Sequence, residues 1–276
     1  MVNISPHEIE GAANFLRGKV NFPLQVGIIL GSGLSALGER AEKSVAIPYG
    51  TIPHFPQSTV EGHSGRFIAG FIEDTSVIMM QGRVHYYEGY AMQQVALGIR
   101  LMAALGVRTL ILTNAAGAVN MSYKPGDFML IQDHINFMST NPLIGKHHAE
   151  WGERFVDQSE TYTPELMNRA RGVAKSLGIG LREGVEHIMH GIGTAGLVGE
   201  TDRSGPVEHD DLATRLGDLA RGKRRRGGRD IEDHLDALVV EHVARDVGRE
   251  VGLVEMVGDD DLDLAAEHLA AEIFHR

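Results

Sequence analysis

Arg83 and His85 are the residues most suited to chemistry. They sit two apart in Gln81-Gly82-Arg83-Val84-His85-Tyr86-Tyr87-Glu88-Gly89-Tyr90. In extended chain, side chains at that spacing point to one face. An arginine fork beside an imidazole suits an anion with several oxygens, such as phosphate. The tyrosines add flat apolar walls with polar tips. The plainer reading of the same stretch is a surface arginine and a hydrogen-bonded histidine beside core tyrosines.

The elements that must position these residues are short apolar runs ending in glycine-bearing loops. Val77-Ile78-Met79-Met80 reads as a buried strand leading into Gly82. Gln25-Val26-Gly27-Ile28-Ile29-Leu30 is a second, running into Gly31-Ser32-Gly33. Glycines at a strand end let backbone N–H groups converge on an anion, and Ser32 adds a hydroxyl. The spacing Gly31-x-Gly33-x-x-Ala36 also fits a loose dinucleotide fingerprint, but Pro48, Gly50, Pro53 and Pro56 fill the region where that fold needs a helix and a second strand. A purely structural glycine turn is the other alternative. Thr109-Leu110-Ile111-Leu112-Thr113 is a third strand, expected to end in a loop of small residues from Asn114 to Ala118. Gly126 to Ile131 is a further strand leading into Asp133-His134-Ile135-Asn136, and His63 lies in a glycine-flanked turn before a strand over Phe67 to Ile72. Helices are expected over His7–Leu16, capped by Ser5-Pro6, and over Met92–Ala104. In α/β sheets ligands bind at the carboxyl ends of strands, so several polar loops there predict one shared site.

The 276 residues suffice for one large α/β domain or two small ones. There is no cysteine, which excludes disulfides, thiolate metal sites and a cysteine nucleophile. No apolar run approaches the length of a membrane span, and Met1 to Lys19 lacks the apolar core of a secretory signal, so a cytoplasmic protein with no membrane partner is expected.

Charge divides the chain. Residues 1–185 hold 15 Lys+Arg and 16 Asp+Glu, whereas residues 186–276 hold 11 and 21. All six Tyr, the Trp, all eight Asn and all seven Gln precede residue 186. A boundary is therefore placed near Val185. The later segment, with Arg, Gly, Ala, Val, Asp, Glu and His in excess, is what a GC-rich gene yields when read out of frame, so a frameshift or fusion is expected there. Ile231, Leu235, Leu238, Val239, Val243, Val247 and Val251 fall at helical spacing, as do Leu262, Ala265, Leu269 and Ile273, and predict two amphipathic helices. The basic run at 221–229 reads as a solvated loop rather than a nucleic-acid contact, since no aromatics accompany it. His187 and His190 form a His-x-x-His pair without a third ligand, so no metal is assigned.

Five motifs in order carry a resemblance: Gly31-Ser32-Gly33-Leu34, Glu61-Gly62-His63-x-Gly65, the Gln81 to Tyr90 stretch, Thr113-Asn114-Ala115-Ala116-Gly117, and Asp133-His134-Ile135-Asn136 followed by Asn141-Pro142-Leu143. On these, residues from about 24 to 185 resemble the trimeric class of purine nucleoside phosphorylases. The resemblance implies a mixed, twisted α/β sheet flanked by helices and reversible phosphorolysis of purine nucleosides, without metal or organic cofactor. It implies that Ser32, His63, Arg83, His85 and the Ala115 backbone hold phosphate, with Arg83 and His85 the catalytic pair. Tyr87 would pack near the ribose, and Ala115, Ala116 and Gly117 would line the purine. Phe155 matches an aromatic lent to a neighbouring subunit's pocket, which implies a homotrimer.

Past Val185 the sequence departs from that pattern. The Gly-Pro-Ser-Tyr/Phe-Glu-Thr-Pro stretch whose glutamate grips the purine is absent, as are a Gly-Met-Ser segment, a later Asn and a late His. Glu200-Thr201 is the nearest match to the missing Glu-Thr pair, and Glu200 is carried as a candidate purine ligand. Two classes stay open: a working phosphorylase completed by its diverged tail, and a catalytically impaired or mis-sequenced relative that retains anion binding and oligomerisation.

Overall fold

A computed structural model describes residues 4–31, 34–57, 65–118, 120–124, 126–189, 197–199 and 250–257. Helix α1, Pro6–Arg17, starts at a capping box: the Glu8 amide donates to Ser5 Oγ at 3.3 Å and the Ser5 amide to Glu8 Oε2 at 2.8 Å. Pro6 occupies the first turn, where its missing N–H costs nothing.

Strands β1 (Val26–Leu30), β2 (Glu42–Pro48), β3 (Arg66–Ile72), β4 (Thr75–Gln81) and β5 (Thr109–Ala118) make the first half of the sheet. Here β2, β3 and β4 are antiparallel neighbours, whereas β1 lies parallel between β4 and β5. Helix α2, Ser35–Glu39, follows β1. Alternate side chains of β1 enter different cores. Ile29 joins Leu16 of α1, Phe67, Ile78 and Met80, whereas Ile28 and Leu30 join Leu37 of α2, Ile68, Val77 and Met79. A strand packed on both faces is apolar throughout, which is why β1 reads as a continuous hydrophobic run.

The expected helix over Met92–Ala104 forms as α3 (Met92–Val95) and α4 (Leu97–Ala104), interrupted at Ala96. Helix α5, Pro164–Leu177, ends at Gly178, whose φ of 70° is the left-handed conformation that closes helices.

The second half of the sheet contains β6 (Phe128–Phe137), β7 (Leu181–Met189), β8 (Leu197–Gly199) and β9 (Glu250–Val257). The order is β2-β3-β4-β1-β5-β8-β7-β6-β9, and β9 also pairs with β5. The pairings β5–β8–β7–β6–β9–β5 therefore close a ring.

Three expectations are corrected here. Val251 lies in strand β9, not in a helix. It pairs with Leu110 of β5, so β-pairing with a central strand overrides a helical spacing. Asn114–Ala118 continue β5 rather than forming a loop, because β9 and β8 supply them with partners. Likewise Asp133–Asn136 remain in β6, held in parallel register against β7. The composition boundary at Val185 falls within β7, so the sheet runs through it. The rest of the first expected tail helix, from Ile231 to Val247, lies outside the described residues, as do the second expected tail helix and the basic run at 221–229.

Candidate active site

The carboxyl ends of the parallel strands β4 and β1 emerge side by side, with Leu30 in register with Gln81, while β5, whose Leu112 is in register with Ile29, runs on past them to Ala118. Neighbouring strands lie about 4.8 Å apart, so the end of β4 and the Thr113–Asn114 stretch of β5 flank Gly31 within about 10 Å of one another.

Gly31 is set by close approach. Its amide donates to Thr113 Oγ1 at 2.9 Å, and that hydroxyl donates to the Ile29 carbonyl at 2.9 Å. A Cβ at Gly31 would lie 2.5 Å from the Thr113 carbonyl oxygen and 2.7 Å from Asn114 Cα. Only glycine allows β1 to leave the sheet this close to β5.

Gly82 turns the chain out of β4 with φ of 86°, and the Tyr49 hydroxyl donates to its carbonyl at 2.7 Å. Burial pushes the Tyr49 phenol far above its ordinary value, against the opposing pull of the Arg83 charge nearby. Tyr49 therefore stays a neutral donor. Arg83 is 6% exposed and His85 2%, so both expected anion ligands are held in the protein at this edge. The His85 amide donates to Glu88 Oε1 at 2.7 Å, fixing the tight turn that follows. That turn lays the Tyr87 ring on the His85 ring, with centroids 4.9 Å apart and planes at 24°. Tyr87 is 40% exposed.

On β5, Thr113, Asn114 and Ala116 are buried, whereas Gly117 is exposed. Ala115, Ala116 and Gly117 are small residues that continue β5 past the Thr113–Asn114 stretch that meets Gly31.

Phe155 lies on the segment after Trp151 and is 86% exposed. Arg154 fastens that segment by donating to the carbonyls of Leu143 and Gly145, at 3.2 Å and 3.1 Å. Ser32, His63 and Glu200 lie outside the described residues, as does His190.

A buried polar cluster escaped the sequence reading. Glu186 of β7 is 0% exposed, accepts from Asn114 Nδ2 at 3.0 Å, and places Oε2 2.9 Å from His134 Nδ1. The His134 contact is an ion-pair approach without good hydrogen-bond alignment. His134 Nε2 closes tightly on the Tyr162 hydroxyl, and Thr161 donates to Asp133 at 2.9 Å. One signal was available: an acid two residues before Ile188, and so on the same face of a strand.

Among the described residues no group of three or more His, Asp or Glu side chains is placed to hold a metal ion, and no helix is long and apolar enough to cross a membrane.

Comparison with known proteins gives the family. Purine nucleoside phosphorylase 1 of Geobacillus stearothermophilus is 52% identical over 177 residues, covering 64% of this chain and 65% of the relative. The Bacillus subtilis enzyme of the same name is 50% identical over 177 residues, with the same coverage. The matched stretch thus spans under two thirds of the length of these curated relatives. A crystal structure of purine nucleoside phosphorylase from Schistosoma mansoni, in complex with acetate, superposes with a TM-score of 0.82 at 30% identity, covering 100% of this chain and 98% of that one. A family model described as the phosphorylase superfamily matches residues 25–193, more than half of the 276, and the chain belongs to that superfamily.

Proposed function

We propose that the protein catalyses reversible phosphorolysis of purine ribo- and deoxyribonucleosides. A phosphate oxygen forms the new bond to the anomeric carbon as the glycosidic C–N bond breaks. The bonding electron pair leaves on the purine, which takes up a proton, and the products are free base and pentose 1-phosphate. Positive charge grows on the ribose during this exchange, and a bound phosphate dianion beside it stabilises that charge. Arg83 and His85 orient the phosphate, together with Ser32, His63 and the Ala115 amide. Tyr87 packs against the ribose, and Ala115 to Gly117 admit the flat purine. Phosphate is a substrate, and the chemistry calls for no cofactor.

The observation that carries this reading is the buried Arg83–His85 pair at the strand edge, beside the Gly31 turn and the small residues of β5. Solved relatives support it: isoform 2 of the Schistosoma mansoni enzyme, 33% identical, was crystallised with cytosine and ribose-1-phosphate, and another purine nucleoside phosphorylase with ribose-1-phosphate. The exposed Phe155 supports a homotrimer in which each subunit lends this ring to its neighbour. Small soluble substrates suit a cytoplasmic enzyme with no nucleic-acid or membrane partner.

The test is inosine with phosphate, coupled to oxidation of the released hypoxanthine. Product formation that depends on phosphate and falls in Arg83→Ala supports the reading. No product with inosine, guanosine or their deoxy forms overturns it.

A second reading is favoured by one observation. The glutamate motif that should grip the purine is missing after Val185, and the family match ends at residue 193. An impaired relative would bind phosphate and assemble but turn over slowly.

A further inference from the structure

Glu186 stands opposite His134 in the β6–β7 register, with both side chains almost wholly removed from water. A carboxylate at that depth is costly unless its oxygens are engaged. Here the two oxygens are divided between two strands, one toward Asn114 of β5 and the other toward His134 of β6. Asn114 is the residue whose Cα comes closest, after the Thr113 carbonyl oxygen, to the Cβ position of Gly31. Its neighbour in sequence is Ala115. A continuous chain of contacts thus runs from β7 through Glu186 and Asn114 to the turn that ends β1. It crosses the point where the composition of the sequence changes.

We propose that Glu186 is a positioning residue: by holding the Asn114 carboxamide it fixes the end of β5, and with it the Ala115 amide and the Gly31 turn, in the geometry that receives phosphate. The proposal rests on the phosphorylase reading for the identity of the anion, but the placement of Asn114 by Glu186 does not. His134 braces the carboxylate from behind, and the Tyr162 hydroxyl holds the far nitrogen of that imidazole. Pairing with β9 already holds the Asn114 and Ala115 backbone, and the carboxylate adds a hold on the Asn114 side chain, so this part of β5 has less freedom before the anion arrives. Such preorganisation appears in anion affinity and in KM for phosphate more than in kcat.

The experiment uses the full chain labelled with ¹⁵N-asparagine, in wild type, Glu186→Gln and Glu186→Ala. The Asn114 carboxamide signal is identified by its loss in Asn114→Gln. Phosphate affinity is measured by calorimetric titration on the same samples, and steady-state kinetics on any that turn over. Glu186→Ala should move the Asn114 signal and weaken phosphate binding roughly tenfold, as for loss of one hydrogen bond to a charged group. Glu186→Gln keeps an acceptor oxygen and should fall between it and wild type, with KM for phosphate raised and kcat little changed. A folded Glu186→Ala protein that binds phosphate within about twofold of wild type, a change too small for a lost charged hydrogen bond, overturns the proposal. If Glu186→Ala does not fold, Glu186→Gln is read against the same criterion. If wild type binds no phosphate, the phosphorylase reading fails, and the Asn114 signal alone decides the positioning role: unmoved in both variants, it sinks it.

Discussion

The Gly31 amide and the Thr113 hydroxyl form a latch between the end of β1 and the middle of β5, because Thr113 Oγ1 accepts from Gly31 and donates to Ile29. Nothing else could replace the glycine, since a Cβ there would stand 2.5 Å from a carbonyl oxygen. Gly31→Ala should therefore destabilise the protein by about 1–3 kcal/mol, the usual cost of overpacking. A thermal melt followed by circular dichroism checks this. An unchanged melting temperature would mean that the strands can part without cost.

Arg83→Ala should weaken phosphate binding by about 1.5–3 kcal/mol, as expected for a hydrogen-bonded charge. Calorimetric titration against wild type measures it directly. Equal affinity would remove Arg83 from the anion site.

Phe155→Ala should leave the stability of the subunit within about 0.5 kcal/mol, because so exposed a side chain supports little of its own fold. If the ring serves a neighbour's pocket, the same substitution raises KM for the nucleoside. Sedimentation at micromolar concentration should show a trimer, and monomer alone would contradict the role given to Phe155.

Acid should weaken the join between α5 and β7. Arg171 donates to Glu183 through Nε at 2.7 Å and Nη2 at 2.8 Å, and holds that carboxyl below its ordinary value of 4.5. A carboxyl whose folded value is depressed contributes stability that is complete above its unfolded value and lost as pH falls through the folded one. The pair is partly open to solvent, so its worth is below about 1 kcal/mol. Arg171→Met should shrink the loss of melting temperature between pH about 6 and about 3, the span across which carboxylates titrate. An identical loss in both proteins would show that other carboxylates dominate.

Turnover of inosine by this chain should fall well below the common enzyme median of about 10 s⁻¹. Loss of leaving-group protonation alone removes roughly 10²–10⁴ in rate. A turnover number near the median would show that residues after 185 complete the purine end, and Glu200→Ala would then test the one candidate there.

The sequence by itself determined the strands β1, β3 and β4, the helix cap at Ser5, and the loops that bear Gly31 and Arg83. Each is written locally, in an apolar run, a capping residue or a glycine at a strand end, and local patterns survive folding when nothing remote competes. The resemblance carried by its motifs named the family for the same reason, since those motifs are short and contiguous. Tertiary structure decided what depends on partners far apart in the chain. Asn114–Ala118 became strand because β8 and β9 arrive to pair with them, and Val251 left its helical spacing for the same ladder. Glu186, 72 residues from Asn114, joined the cluster behind the candidate site only when β7 was placed in the sheet. A buried carboxylate is specified by the groups that surround it, and no spacing along the chain records which groups those will be.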